Sequence, residues 1–135
     1  MKILIADDDF TCRVMLQKML SPYGRCNIAE DGKVALEAFR TALAQGSPFD
    51  LICLDHLMPE MEGQEVLKEI RGMEEARGIS ADNRVKIIVT TGLMDEDDEF
   101  AMLHDLCDAY LDKPVDKARL LDILKQLGFL EGDKQ

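Results

Sequence analysis

The sequence lacks the features that mark membrane-embedded, secreted and metal-thiolate proteins. Its 135 residues contain no apolar run that approaches the length of a membrane span, so we expect no membrane insertion. The apolar run at residues 3–6 is too short for the apolar region of a signal peptide, which predicts a cytoplasmic protein. No two of the four cysteines form a CxxC pair, which favours buried thiols in a reducing compartment over a metal or redox site.

Positive charge and histidine are also scarce. Lysine and arginine number 16 against 27 aspartates and glutamates, which gives a formal net charge of -11 at pH 7. A surface this acidic repels phosphate groups, so we expect no binding to nucleic acid, whereas cations and basic partner surfaces are compatible with it. The chain has two histidines and no Ser-His-Asp or Cys-His arrangement typical of nucleophilic catalysis.

Two apolar patterns alternate along the chain. Short strand-like runs occur at residues 3–6, 26–29, 51–54, 85–89 and 109–111, and segments of helical period lie between and after them. Five strands alternating with five helices predict an α/β fold, a doubly wound parallel sheet with helices on both faces. We assign residues 1–130 to one domain and residues 131–135 to a short polar tail, and we expect no output domain.

The helical stripes predict which side chains face the core. They are Val14, Met15, Met19 and Leu20 in the first helix, Val34, Ala35, Ala38, Phe39 and Ala42 in the second, Val66, Leu67 and Ile70 in the third, Phe100, Leu103 and Leu106 in the fourth, and Leu120, Leu121, Leu124 and Leu127 in the fifth. Residues 72–84 have the pattern of a helix end followed by a solvated loop.

Polar residues stand at the ends of the strand-like runs. They are Asp7, Asp8 and Asp9 after the first run, Asp55 after the third, Thr90 and Thr91 after the fourth, and Lys113 with Pro114 after the fifth. Parallel strands point their carboxyl ends to one edge of a sheet, so these side chains should converge there. Some acidic residues are plain helix caps: Asp9 is predicted to cap the first helix, and residues 95–99 to form the acidic first turn of the fourth.

Carboxylates gathered at one edge repel one another unless a cation neutralises them. Magnesium takes one or two protein carboxylates together with waters and phosphate oxygens, so it is the natural partner. Lys113 can pair with Asp55 or with a phosphate bound to it, and Thr91 offers a hydroxyl to the same oxygens. This set predicts phosphoryl transfer to a carboxylate, with Asp55 as the nucleophile. His56 is interpreted as a residue at the rim of this site, pointing to the other side of the strand.

Four segments, ILIADDD, DLICLDHLMPEMEG, VKIIVTTG and AYLDKPV, resemble in order and spacing the receiver domain of bacterial response regulators, the CheY-like family. The resemblance covers the chain from residue 1 to about residue 128 and implies the strand order 2-1-3-4-5. It implies a stand-alone response regulator that takes a phosphoryl group on Asp55 from a sensor histidine kinase or a histidine phosphotransfer protein. Such a protein is not an enzyme beyond catalysing its own phosphorylation and dephosphorylation.

The resemblance also implies the metal ligands. Asp8 and Asp55 would bind Mg2+ or Mn2+ directly, and the backbone carbonyl of Leu57 would complete the protein ligands. Asp7 would act mostly through a metal-bound water. All of these residues lie in the two segments that carry the resemblance most closely, ILIADDD and DLICLDHLMPEMEG.

A second group of residues is implied to bind phosphate and to switch. Lys113 and Thr91 would contact the phosphoryl oxygens, and Tyr110 would be the aromatic switch residue. Thr91 is preferred to Thr90 because it precedes a small residue, Gly92, and lies 22 positions before Lys113. Residues of secondary importance are Gly92, Pro114 and His56.

The implied output is a change in protein–protein affinity. Phosphorylation would alter the face formed by the fourth helix, the fifth strand and the fifth helix, and this face would bind a downstream target protein. The protein would be a monomer or a weak dimer through the same face.

Three other functions are compatible with parts of the pattern. A magnesium-dependent phosphatase with an aspartyl nucleophile usually has a second aspartate two positions later, where this chain has Leu57. A flavodoxin-like cofactor binder needs a phosphate loop after the first strand, where Asp7, Asp8 and Asp9 would repel phosphate. A receiver-like scaffold that is never phosphorylated is disfavoured by the complete set of site residues.

Overall fold

The described residues form alternating strands and helices. The computed structural model describes residues 1–56, 58, 60–92 and 106–130. In chain order the elements are β1 (Lys2–Ala6), α1 (Phe10–Leu20), β2 (Arg25–Ala29), α2 (Gly32–Ala44), β3 (Leu51–Asp55), α3 (Gly63–Ala76), β4 (Lys86–Thr91), β5 (Ala109–Asp112) and α4 (Lys117–Gln126). Helix α4 is the fifth helix of the sequence prediction, and the predicted fourth helix falls mostly within residues 93–105, outside the described residues. In the described part of the chain, no helix has the length and apolarity to cross a membrane.

The five strands form one parallel sheet in the order β2-β1-β3-β4-β5, which confirms the predicted α/β fold and strand order. Every residue of the central strand β3 is buried. A parallel strand covered on both faces must be apolar on both, which explains its continuous apolar run. The register pairs Ala6 with Leu54 and Leu54 with Val89, so β1, β3 and β4 reach the carboxyl edge of the sheet together.

Each face of the sheet has its own hydrophobic core, because successive strand residues point to opposite faces. One core joins Leu4 and Ile52 to the buried sides of α2 and α3, including Phe39. The other joins Ile3 and Cys53 to the buried sides of α1 and α4. The two layers of helices therefore enclose the sheet and leave its carboxyl edge available for a polar site.

Two of the predicted helical stripes are wrong in detail. Met15 and Val34 were expected in the core, but they are 38% and 46% exposed. Leu16 and Leu36 are buried instead, and Leu16 faces the same side as Leu20 one turn later. Apolar neighbours i and i+1 compete for the core side of a helix, and periodicity alone does not separate them. The predicted core residues of the third helix, Val66, Leu67 and Ile70, are fully buried.

Aspartates cap the amino ends of three of the four helices in the described residues. Asp9 accepts a hydrogen bond from the Thr11 backbone N–H at 3.0 Å, which confirms its prediction as the cap of α1. Asp31 caps α2 in the same way, with 2.9 Å to the Val34 nitrogen. Caps of this kind satisfy backbone N–H groups that have no partner within the helix.

The helix end and solvated loop that the sequence predicts for residues 72–84 are confirmed, but two charged residues of the helix are buried. Helix α3 continues to Ala76, and Arg71 and Glu74 are buried within it. Arg71 Nη1 donates to Glu74 Oε1 at 2.8 Å, and Glu74 Oε2 accepts from the Val85 backbone N–H at 2.7 Å. The burial of these two residues could not be predicted from the sequence, because their charged neighbours are mostly exposed. Nothing local in the sequence distinguishes a buried ion pair from a solvated one.

Two phenylalanines that differ greatly in burial provide a test of the core assignment. Phe39 is 1% exposed and Phe10 is 69% exposed. We expect Phe39→Ala to lower the free energy of unfolding by about 3–5 kcal/mol, because it removes buried apolar area and leaves a cavity. Phe10→Ala is the matched control and should change it by less than about 1 kcal/mol. Urea denaturation measures both, and equal effects would contradict the assignment.

Candidate functional site

The carboxyl edge of the sheet brings together side chains from three strands. Asp7 follows β1, Asp55 is the last residue of β3, and Lys113 follows β5. The Lys113 ammonium lies 3.0 Å from Asp7 Oδ2 and 3.2 Å from Asp55 Oδ1. The lysine is therefore held between two carboxylates that come from different strands.

Asp7, Asp8 and Asp55 form a cluster whose ligand oxygens lie within 4.8 Å of one another. Asp7 is completely buried, Asp55 is 5% exposed, and Asp8 is exposed. Three carboxylates with one ammonium leave two negative charges uncompensated. Hard oxygen donors, excess negative charge and access from solvent through Asp8 fit Mg2+ or Mn2+. Leu57, whose backbone carbonyl was expected as a further ligand, lies outside the described residues.

The turn between β1 and α1 fixes Asp7 from two directions. Asp7 Oδ1 accepts a hydrogen bond from the Asp9 backbone N–H at 2.8 Å. Arg13 Nη1 donates to the Asp7 carbonyl oxygen at 2.9 Å from the second turn of α1. The helix that carries the cap thus also orients the buried carboxylate. Arg13 did not emerge from the sequence, because a basic residue inside an amphipathic helix has no distinctive local pattern.

The electrostatics of the site hold Lys113 in its charged form. Burial alone would lower the pKa of Lys113, but the hydrogen bond to Asp7 and the charge of Asp55 outweigh burial and raise this pKa. A raised lysine pKa means that the ion pairs are fully formed at neutral pH and are lost only in strongly alkaline solution. The neighbouring Cys12 thiol is affected in the same direction. Burial first, then the hydrogen bond to Asp7, raises the pKa of Cys12 to about 12, so the thiol is neutral beside the carboxylates.

The two threonines at the end of β4 have different neighbours. The register places Thr90 opposite Asp55 and Thr91 opposite Asp112. Thr91 Oγ1 donates to Asp112 Oδ1 at 3.4 Å, whereas Thr90 Oγ1 is buried without a hydrogen-bond partner in the described residues. Both side chains are nearly fully buried, and Gly92 follows them directly. The sequence favours Thr91 as the switch hydroxyl. In the structure both threonines lie near the carboxyl edge of the sheet.

His56 is buried rather than at the rim of the site, where the sequence placed it. It is 3% exposed, and its backbone N–H donates to the Thr90 carbonyl at 2.9 Å. Gly63, the first residue of α3, donates its N–H to the His56 carbonyl at 3.1 Å. A Cβ at Gly63 would lie 2.4 Å from the Asp55 carbonyl oxygen, so only glycine allows this approach. The start of α3 therefore closes over the backbone that carries Asp55 and covers His56.

Tyr110 and Pro114 lie on either side of the lysine-bearing end of β5. Tyr110 is half-buried opposite Val89. Pro114 follows Lys113 through a cis peptide bond. The expected switch face includes β5 and α4, which are described, and the predicted fourth helix, which is not.

Comparison with known proteins agrees with this geometry. The response regulator receiver domain family matches residues 3–125. This chain belongs to that family. Receiver domains are two-component signalling domains phosphorylated on an aspartate, they bind Mg2+ in the active site, and they are not classical enzymes.

Individual relatives of this receiver domain differ in length. Two-component response regulator ORR41 of Oryza sativa subsp. japonica is 32% identical over 126 residues, and the match covers 91% of each chain. Probable histidine kinase 2 of Oryza sativa subsp. indica is 30% identical over 132 residues, but the chain spans only 12% of the length of that kinase. The receiver domain of sensor histidine kinase PA1611 from Pseudomonas aeruginosa PAO1 is 30% identical with a TM-score of 0.72. That match covers 93% of this chain and 94% of the other, which has a magnesium ion coordinated in its active-site cleft.

Removal of the lysine charge tests the electrostatics of the receiver site. We expect Lys113→Met to raise the affinity for Mg2+ by about three- to tenfold, because the ammonium competes with the ion for Asp7 and Asp55. Lys68→Met, at an exposed position of α3, is the matched control and should leave the affinity unchanged. Isothermal titration calorimetry measures both. A weaker Mg2+ affinity in Lys113→Met would contradict the competition.

Proposed function

We propose that this protein is a stand-alone response regulator that accepts a phosphoryl group on Asp55 in a Mg2+-dependent reaction. The observation that carries the proposal is the placement of Asp55. Its Oδ1 lies 3.2 Å from the Lys113 ammonium, and its ligand oxygens share the cluster with Asp7 and Asp8. A carboxylate at a sheet edge, flanked by a cation and by further carboxylates, is suited to receive phosphate rather than to abstract protons.

The chemistry is a transfer between two nucleophiles. An Asp55 carboxylate oxygen attacks phosphorus as the nitrogen–phosphorus bond of a phosphohistidine breaks. The imidazole nitrogen of the donor leaves with the bonding electron pair, and an acyl phosphate forms on Asp55. A bound Mg2+ would supply positive charge that stabilises the oxygens of the transferring phosphoryl group.

The chain's own residues have separate roles in this proposal. Lys113 neutralises the transferring oxygens and then pairs with the acyl phosphate. Asp8 and Asp55 would hold the divalent ion, Asp7 would act through one of its waters, and the backbone carbonyl of Leu57 would be a further ligand. Because Asp55 is 5% exposed, solvent reaches the acyl phosphate only at the edge of the site, and hydrolysis there resets the protein.

The phosphorylated state is read through protein–protein contact. We infer that Thr91 moves toward the phosphoryl oxygens and that Tyr110 repacks beside it. The change alters the affinity of the face formed by the predicted fourth helix, β5 and α4 for a downstream target protein. The protein is a monomer or a weak dimer through that face, and it does not bind nucleic acid.

The relatives support the donor and the organisation of the chain. Histidine kinases of rice and Arabidopsis thaliana include a segment similar to this chain, which makes a histidine kinase or a histidine phosphotransfer protein the natural donor. ORR41, a two-component response regulator, is matched over 91% of its length, which supports a response regulator of this size. The four cysteines are free, which suits a reducing, cytoplasmic compartment.

Phosphorylation of Asp55 is tested without a kinase. The protein is incubated with Mg2+ and acetyl phosphate, and intact mass is measured. We expect a gain of one phosphoryl group that Asp55→Asn abolishes, because the amide is no nucleophile. Asp122→Asn, on the exposed side of α4, is the matched control and should retain the gain. The proposal would be refuted if the unchanged protein gains no mass with acetyl phosphate and its NMR spectrum does not change on addition of beryllofluoride.

The two threonines are separated by a second pair of variants. We expect Thr91→Ala to form the phosphoryl adduct but to lose most of the NMR shift changes that beryllofluoride causes at Tyr110 and in α4. The reason is that its hydroxyl carries the response to the phosphoryl oxygens. Thr90→Ala should keep those shift changes. The opposite result would assign the switch to Thr90, whose register position faces Asp55.

A further inference from the structure

The strand that delivers Lys113 to the site is weakly specified by its own sequence. β5 has four residues, lies at an edge of the sheet, and has only Leu111 buried. A short strand with one buried residue can change its pairing register at little cost in apolar contacts. A slip of one residue would turn every side chain of β5 to the other face, and Lys113 would then point away from Asp7 and Asp55.

A buried cluster of charges lies where the chain enters β5, at the opposite end of the strand from Lys113. Its members are Arg71 and Glu74 of α3, and Asp108 directly before β5. Arg71 Nη1 donates to Glu74 Oε1 at 2.8 Å, and Arg71 Nη2 lies 3.1 Å from Asp108 Oδ2. The relative exposures of the arginine and glutamate side chains are 8% and 6%, and that of the aspartate is 12%.

Asp108 joins this cluster to β4 at one fixed position. Its backbone N–H donates to the Ile87 carbonyl at 2.8 Å, and its Oδ2 accepts from the Ile87 N–H at 2.8 Å. Arg71 also fixes the preceding chain, since Nε donates to the Leu106 carbonyl at 2.8 Å. The aspartate therefore binds both polar backbone groups of one β4 residue, and the arginine holds that aspartate in place.

The start of β4 is held by the same cluster. Arg71 Nη1 donates to the Val85 carbonyl at 2.9 Å, and Glu74 Oε2 accepts from the Val85 N–H at 2.7 Å. Both strands are thus fixed to α3 at the residue directly before each strand begins. At the far end, the Lys113 N–H donates to the Thr91 carbonyl at 2.7 Å, so the register fixed at the entrance determines the pairing at the site.

We propose that the buried Arg71–Glu74–Asp108 cluster sets the register of β5 against β4 and thereby determines that Lys113 reaches the acceptor carboxylates. Arg71 is in this sense a positioning residue for the phosphoryl-transfer site, at the opposite edge of the sheet. A buried ion cluster contributes little net stability compared with apolar residues of similar volume, and its role in this proposal is to specify one conformation. The inference rests on the proposed function, because it concerns the lysine of that site.

The test compares two cluster variants with a change at the site itself. Arg71→Met removes the charge while keeping a long side chain. Asp108→Asn keeps an oxygen for the Ile87 N–H but removes the charge that faces Arg71. Lys113→Met is the reference. Arg40→Met is the matched control, since Arg40 makes the same i,i+3 ion pair with Glu37 on the exposed face of α2.

Three readouts separate positioning from general destabilisation. They are Mg2+ affinity by calorimetry, the acetyl phosphate transfer rate, and the NOE between the strand partners Thr91 and Asp112. We expect both cluster variants to lose intensity in this NOE, to bind Mg2+ up to about three- to tenfold more tightly, and to transfer phosphate at least about tenfold more slowly. Those are the directions expected for Lys113→Met, whereas a loosened fold would weaken ion binding. Arg40→Met should change none of them.

Each outcome decides the inference. An unchanged NOE and unchanged Mg2+ affinity in folded Arg71→Met would overturn it, as would weaker Mg2+ binding. If Arg71→Met does not fold, Asp108→Asn decides by the same criteria, and failure of both to fold would assign the cluster to general stability instead. Absence of phosphorylation in the unchanged protein would refute the proposed function alone, because the NOE and the Mg2+ affinity do not depend on it.

Discussion

The main physical constraint on the structure is the mutual repulsion of the carboxylates that gather at one edge of the parallel sheet. Asp7 and Asp55 are buried there within reach of Asp8, and a single ammonium, from Lys113, lies between them. This arrangement is costly for folding in isolation, because buried charge of one sign is only partly compensated. The same imbalance suits the edge to a divalent ion, whose two positive charges match the two uncompensated negative charges.

The two ends of the sheet handle charge in contrasting ways. At the carboxyl edge the negative charge is in excess and one member, Asp8, is exposed. At the amino end of β4, Arg71, Glu74 and Asp108 bind one another and the surrounding backbone, so the cluster there is internally satisfied. One end is built to accept a ligand and the other to hold strands and helices together, and β5 connects them within four residues.

The sequence is sufficient for the fold class because the relevant signals are local. Apolar runs ended by polar residues identify the strands, and the parallel topology then brings Asp7, Asp55 and Lys113 to one edge. What the sequence does not show depends on distant partners. His56 is buried with Gly63 against its backbone, and the buried Glu74 accepts a hydrogen bond from Val85, eleven residues later. The choice between Thr90 and Thr91 depends on strand register, which no local pattern fixes.

The two oxygens of Asp7 have consequences for which ion the site selects. Oδ1 already accepts the Asp9 N–H, and Oδ2 faces Lys113 at 3.0 Å. Each oxygen therefore has one of its two lone-pair positions occupied, which leaves fewer positions for direct coordination of an ion. Calcium needs six to eight oxygen ligands and often bidentate carboxylates, whereas magnesium keeps much of its water shell. The β1–α1 turn, which carries the cap of α1, therefore suits an ion that keeps much of its water shell.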